Sequence, residues 1–364
     1  MIRHRSQPLR APARAQGGFI LLIVIAMLVV LVLLASAVAT VSDRVRHDQQ
    51  LADTRLQGEI DAASTRATVL YLLGTQRFTF AGLTVDDQIK LTAFEQTEKN
   101  AGEPVVSNMP VGNELRLDDT LYDGLGSSEF ALQGDSGRLS VNWSNPAVLQ
   151  NWLLRLKVPV EQQGPLFAKL LDYQDPDNLS RLNGAEAEQY RAAGRPPPPN
   201  RPLSTPLELR RVMGWGKALA SLDDQQLLDT VTTSRSSQIC INTAPASVLS
   251  LLPGVTPEMA RRVVDMRRLQ AFYQDEAVYE LLPTLPRGND LVGLHPGGSG
   301  TLALWPADGS SGWLIHWTVT PFDDGGQPWR LDYELRFPAR PRHGRTPALE
   351  TATPLLSHPP AAHP

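Results

Sequence analysis

Five carboxylates, Asp172, Asp175, Asp177, Glu186 and Glu188, fall inside the 17 residues of DYQDPDNLSRLNGAEAE, and Asn178 and Asn183 add two more side-chain oxygens. Carboxylates this close repel one another, and a hard cation cancels that cost. Calcium, which takes six to eight oxygen ligands in flexible geometry, suits such a loop. The twelve-residue calcium-loop spacing is not matched, and the histidine company that zinc or iron would want is missing. The plain alternative is a solvated acidic turn punctuated by Asp-Pro. A general acid–base pair is a further alternative, but no pocket can be read beside it. Spacing alone does not assign the ligands, nor whether a more distant acid joins them.

A second stretch, LLPGVTPEMARRVVDMR, has the look of a helix-hairpin-helix, in which the amides of a tight turn hold a phosphate. The turn would be Pro253, Gly254, Val255 and Thr256, with Arg261, Arg262, Arg267 and Arg268 adding backbone contacts. Thr256 stands where the second turn glycine would sit, replacing the most permissive residue with a restricted one. A net charge of −4 and the acidic loop also argue against a duplex surface. A packing role is sufficient: Leu249, Leu252, Val255, Ala260, Val263 and Val264 form a small helical core. Asn242 or Thr243 is then a cap for the first helix with Pro245 in its first turn, and Thr256 caps the second with Pro257 at its first position.

No constellation argues for an enzyme. The seven histidines are His4, in the N-terminal basic stretch, His343, His358 and His363 in the C-terminal tail, and His47, His295 and His316. His316 is expected on an exposed strand face, opposite Trp317. The single cysteine, Cys240, excludes an intramolecular disulfide and a cysteine-rich zinc site, and a buried thiol is the default.

The elements that must position these groups begin with residues 19–41, apolar except for Ser36 and Thr40. As a helix they span about 34 Å, enough for a hydrocarbon layer of about 30 Å. Arg3, Arg5, Arg10 and Arg14 precede them and a nearly balanced charge set follows, which places the N-terminus in the cytoplasm. A cleavable secretory signal would use the small-residue sites at Ala35-Ser36-Ala37 or Ala37-Val38-Ala39, but its apolar core is usually about 7–15 residues long. A plain anchor is the other simple alternative. No proline occurs between residues 13 and 103, so the helix can continue to about Gly74, with Gly58 as a weak point. Strands are expected at RFTFAG, NELRLDD and SGRLSVNW. GWLIHWTVT and WRLDYELRF are expected to form a hairpin with one apolar face, built from Trp313, Ile315, Trp317 and Val319 on one strand and Leu331, Tyr333, Leu335 and Phe337 on the other. Between residues 145 and 290 the period becomes helical, in PAVLQNWLLRLKV, GPLFAKLLDYQD, STPLELRRVMGWGKAL, APASVLSLLPG and TPEMARRVVDMRRL. RPPPPNRP is a polyproline spacer or rigid loop, and the tail after Phe337, with seven prolines in 27 residues, is expected to be disordered.

The order of basic leader, Gly17-Gly18, Phe19 and long apolar helix resembles the N-terminus of type IV pilins and type II secretion pseudopilins. That resemblance implies cleavage between Gly18 and Phe19 by a leader peptidase and methylation of Phe19. Most members carry glutamate at the fifth mature position; here it is Ile23. A tip subunit has no neighbour above it whose amine needs that acid. DYQDPD at 172–177, GAE at 184–186, Tyr190, the prolines up to Asn200, ELRRVMG at 208–214, NTAP at 242–245 and LPG at 252–254 resemble the K-type minor pseudopilins. The resemblance implies an α/β (α+β) pilin-like fold: a leader at 1–18, a transmembrane helix at 19–41, a helix continuation and first sheet part at 42–144, a large helical insertion with a helix-hairpin-helix-like part at 145–290, closing strands at 291–337, and a tail at 338–364. It implies Ca2+ bound in the helical region. It also implies a role at the tip of a periplasmic filament that drives folded proteins across the outer membrane. The expected partners are other minor pseudopilins and inner-membrane secretion components, with secreted substrates as further candidates and no nucleic acid.

Overall fold

The computed structural model describes residues 17–102, 107–288, 291–306, 311–321, 326–337, 349–351 and 353–356. The basic residues of the leader, most of the tail and part of the DDGGQP turn lie outside these. The chain divides into two compact units, one ending at Gln57 and one beginning at Gly58.

Helix α1 (Gly17–Thr75) is continuous through Gly58. Its stretch in the first unit is apolar and exposed from Phe19 to Leu34. Among the described residues it is the helix long and apolar enough to cross a membrane by length and composition. Of its two polar interruptions, Thr40 is satisfied within the helix, its hydroxyl donating to the Ala37 carbonyl at 2.8 Å.

In the second unit the core begins at the end of α1. Val69, Leu70, Leu72 and Leu73 pack with Leu117, Phe130, Leu132, Leu304, Ile315 and Trp317 against one face of a five-stranded antiparallel sheet. Its strands are β1 (Asp118–Asp123), β2 (Glu129–Gly134), β3 (Ser299–Trp305), β4 (Gly312–Val319) and β5 (Trp329–Phe337), in spatial order β5-β4-β3-β2-β1. Leu121, Ala131, Ala303 and Leu314 cover the other face, where Leu228 joins them.

Several strands differ from expectation. RFTFAG yields two-residue strands, Phe78–Thr79 and Gly82–Leu83. NELRLDD contributes only its end to β1, SGRLSVNW only Leu139–Ser140, and β2 lies in FALQG, where no strand was expected. A short helix, α2 (Ala93–Asn100), is also new; Thr92 and Glu95 cap it reciprocally.

β4 and β5 do pair, but their apolar stripes share a face only beyond the bulge, where Trp317 faces Leu331; before it they fall on opposite faces. Ile315 faces Glu334 and Trp313 faces Arg336, whereas Leu314 faces Leu335 and His316 faces Tyr333. A bulge between His316 and Trp317 changes the register again. The second half of edge strand β5 is therefore charged on its α1 side: Glu334 pairs with Arg66 of α1 at 3.0 Å, and the Arg336 guanidinium lies 4.5 Å over the Trp313 ring. A charged edge of this kind also resists pairing with other chains.

Sequence neighbours β2 and β3 are separated by the helical block, yet they pair directly, ending at Gly134 opposite Gly300. A Cβ on Gly300 would lie 2.4 Å from the Gln133 carbonyl oxygen, so only glycine closes this neck. Among its helices the block holds α3 (Pro146–Arg155), α4 (Val160–Gln174), α5 (Ala187–Ala192) and α6 (Pro257–Leu269), with further short helices such as Asp224–Thr230 and Asp275–Leu281. It has its own core, in which Trp215 and Trp152 stack at a tilt and the Trp215 indole donates to the Leu166 carbonyl at 2.9 Å. α4 starts four residues before the expected Gly164. STPLELRRVMGWGKAL is not one helix but a 3-10 turn, Pro206–Arg211, and a single turn, Trp215–Ala218. Neither Asn242 nor Thr243 caps a helix; Pro245 is the N-cap of Ala246–Leu249. Asn242 instead clamps Phe272 through both its carboxamide atoms.

His316 is not exposed. It is 5% accessible, with Nε2 2.8 Å from Asp135 and Nδ1 2.8 Å from Asp332. Asp135 also accepts from the Ser299 hydroxyl, and Arg138 donates to Thr301, so the neck is tied by charge as well as by strand pairing. Burial disfavours the imidazolium, but the two aspartates outweigh it and hold His316 near pKa 9. The same contacts hold Asp135 and Asp332 below the ordinary carboxylate range despite their burial. The His316 contribution, on the order of 3 kcal/mol, is complete below about pH 6.5 and is lost as pH rises through 9. The aspartate contribution is complete above about pH 4 and is lost on acidification. The thermal midpoint of the full chain should peak between these limits and fall towards pH 9.5. His316→Gln should abolish the alkaline decline, which melting curves across that range will show.

Candidate metal centre

α4 builds one wall of the acidic cluster. Gln163, Leu166, Leu170 and Tyr173 form its buried stripe, and the last turn then turns Asp172 fully inward and leaves Asp175 as the C-cap. The Tyr173 hydroxyl is fixed on Glu208 at 3.1 Å, anchoring that turn. The chain returns through Asn183, in the left-handed region at φ 63°, to Glu186, the N-cap of α5. The α5 entry is set by the Glu186 amide, which donates to the Gln189 side chain at 2.9 Å. Gly184 makes the approach possible: a Cβ there would lie 1.9 Å from Asp172 Oδ2.

The result is a convergence of three acids. One oxygen each from Asp172, Asp175 and Glu186 lies within 4.8 Å of the others. Asp177 and Glu188 do not join this group. Asp177 is exposed and accepts from the Leu179 amide at 2.8 Å, and Glu188 is exposed on the first turn of α5.

Glu186 is 3% accessible, and neither of its carboxylate oxygens has a hydrogen-bond partner; Asp175 Oδ1 is also buried without one. Burial first, then repulsion from Asp172, Asp175 and Asp177, pushes Glu186 up to about 7. Orphaned buried carboxylate oxygens are costly, and here they are oriented as ligands for a hard cation. The donor set therefore fits calcium. The counter-charge present is Arg181, which spacing had not flagged: its Nη1 reaches Asp172 at 2.7 Å and also Asp175, and its backbone amide donates to Asp172 Oδ2 at 3.1 Å. Asp-x-x-Asp followed by Arg and Gly-Ala-Glu is the available sequence signal for both Arg181 and Gly184.

The second motif folds as a packing element. Val255 is buried, Thr256 accepts from the Met259 amide and caps α6, and Gly254 takes φ 74° against Thr284, whose hydroxyl donates to its carbonyl at 2.7 Å. Pro253 is half-buried in the same turn. Arg267 is turned inward, donating to the carbonyls of Ile241 and Ala244 and pairing with Asp118, so it does not face a phosphate backbone. Arg261 and Arg268 pair with Glu258 and Asp265.

Residues 130–231 match the family model "Type II secretion system (T2SS), protein K", a little over a quarter of the chain. That segment runs from β2 across the neck and contains all five acids of the cluster, and it carries the protein K signature. No curated protein sequence matches the chain. Among solved structures, the chain is similar to a chain of the GspK-GspI-GspJ complex from the enterotoxigenic Escherichia coli type 2 secretion system. They are 14% identical, the TM-score is 0.42, and the alignment covers 80% of this chain and 99% of the other.

Two substitutions test how tightly the acids are forced together. Glu186→Gln removes the orphaned charge and should raise the melting midpoint of chelator-treated protein by several degrees. Gly184→Ala should destabilise the same protein by about 1–3 kcal/mol, the usual cost of overpacking, and lower its midpoint accordingly.

Proposed function

We infer that this chain is a K-type minor pseudopilin of the type II secretion system. The observation that carries this is the protein K segment at residues 130–231, placed on a chain with an apolar N-terminal helix of membrane-spanning length. In this reading residues 19–41 anchor the chain in the inner membrane, with the N-terminus cytoplasmic because of Arg3, Arg5, Arg10 and Arg14, and everything beyond lies in the periplasm. After cleavage between Gly18 and Phe19 and methylation of Phe19, the same helix leaves lipid and packs beside other subunits. Ile23 carries no charge at the fifth mature position, which suits a subunit that caps or nucleates the tip. The role is mechanical rather than enzymatic. The neighbours would be the I- and J-type minor pseudopilins, the proteins that accompany K in the solved complex.

Asp172, Asp175 and Glu186 would hold Ca2+, with the remaining oxygens from loop carbonyls, Asn side chains or water. The ion would supply charge neutralisation and hold the end of α4 to the start of α5; it would take no part in bond chemistry.

N-terminal sequencing of the membrane-extracted protein should give N-methylated Phe19. Retention of Met1, or a start after Ala37 or Ala39, overturns the filament assignment. For the metal, adding calcium to chelator-treated full chain in detergent should raise the melting midpoint, with magnesium much weaker, and Asp172→Ala should remove the effect. An unchanged midpoint with calcium removes the metal assignment and leaves the secretion assignment standing.

A further inference from the structure

Resting on the calcium reading above, we propose that Arg181 is a resident competitor for the metal position, bridging Asp172 and Asp175 in the metal-free chain and leaving when the ion enters. A single guanidinium nitrogen, Nη1, contacts both carboxylates at once, where a cation shared by those two acids would sit. The same oxygens cannot serve the arginine and a metal ion at full strength together. The arginine is poorly matched to the site it fills. One positive charge faces three carboxylates, and both oxygens of buried Glu186, together with Asp175 Oδ1, remain without donors. A divalent ion with six to eight open coordination positions satisfies more of these oxygens than a planar donor fork reaching from one side.

Departure is also open to this side chain. Arg181 is 43% exposed, while Asp172 is fully buried. It sits in a loop whose flanking Leu179 and Leu182 are among the most exposed apolar residues outside α1, so nothing packs the loop onto its guanidinium. Its backbone amide, by contrast, stays on Asp172 Oδ2, so the side chain can swing to solvent while the loop keeps its place. Arg181 then has two effects with opposite sign. It stabilises the empty site against carboxylate repulsion, and it weakens calcium binding by the free energy of the contacts that must be broken.

The test is calcium titration calorimetry on chelator-treated full chain in detergent, comparing wild type with Arg181→Gln and Arg181→Lys. Arg181→Gln should bind about tenfold tighter, the equivalent of one charge-assisted contact no longer surrendered, and Arg181→Lys should fall between. The metal-free melting midpoint of Arg181→Gln should drop, while its calcium-saturated midpoint should equal that of wild type. A merely structural arginine would lower both midpoints together and would not tighten binding. Equal or weaker affinity in Arg181→Gln, with wild type binding calcium, overturns the role of Arg181 and leaves the metal centre standing. Absence of binding in wild type and in both variants overturns the metal centre and this proposal with it.

Discussion

The folded unit depends on how β2 and β3 meet. These strands are central neighbours in the sheet, yet the excursion between them separates Asp135 from Ser299 by 164 residues. Loop-closure entropy grows only slowly with length, so a large insertion is tolerable if its ends are held. Strand pairing holds them as far as Gly134 and Gly300, and glycine at 300 lets the backbones close. Beyond the last pair, Asp135 on the outgoing chain, Ser299 on the returning chain, His316 on β4 and Asp332 on β5 form one connected cluster. Buried ion pairs of this sort contribute little net stability against an apolar equivalent, but they are costly to break from one side. Their effect at the neck is to penalise any other register, because a one-residue slip would leave a buried charge alone.

Periodicity made the elements legible where a pattern was long. The uninterrupted apolar and then amphipathic run became α1, the TPEMARRVVDMRRL pattern became α6 with Thr256 as its cap, and the two alternating C-terminal segments became β4 and β5. Alternation carries a period but not a register. The faces of β4 and β5 were misassigned because strand pairing and the bulge at His316/Trp317, rather than composition, decide which residues oppose. The misplacement of His316 follows from the same cause: a polar residue opposite Trp317 looks solvent-facing until the insertion covers that side. β2 was missed because EFALQG is buried on both faces from Phe130 onward and so shows no period of two.

In the acidic loop, spacing brought five acids into one stretch but could not choose among them. The choice is made by helix geometry: the last turn of α4 carries Asp172 and Asp175, the N-cap of α5 carries Glu186, and Gly184 allows the two to close. Asp177 and Glu188 have the same chemistry and nearly the same position in the chain, yet each lies on an outward-facing side of its element. Arg181 was invisible as a participant because a lone arginine among acids reads as a solvated charge.

The two clusters of charge in this unit obey the same electrostatics with opposite outcomes. At the neck, two aspartates meet a protonated histidine, with Arg138 and Arg330 nearby, and the charges compensate within the fold. In the loop, three carboxylates meet one arginine and the buried oxygens of Glu186 remain unpaired. A buried acid without a counter-charge either takes up a proton, as the raised Glu186 carboxyl does more readily than a free one, or is completed by a cation. The exposed apolar helix of the first unit poses the equivalent demand in hydrophobic terms, since burial of each of its side chains is favourable by about 1.5–3 kcal/mol only when lipid or another helix covers it. Both features are unfavourable in an isolated chain in water: one leaves apolar side chains uncovered and the other leaves carboxylate oxygens unpaired. Residues 130–231, which match the protein K model, include the outgoing strand at the neck and all three converging acids, so the matched segment is also the one that carries the unpaired carboxylate oxygens.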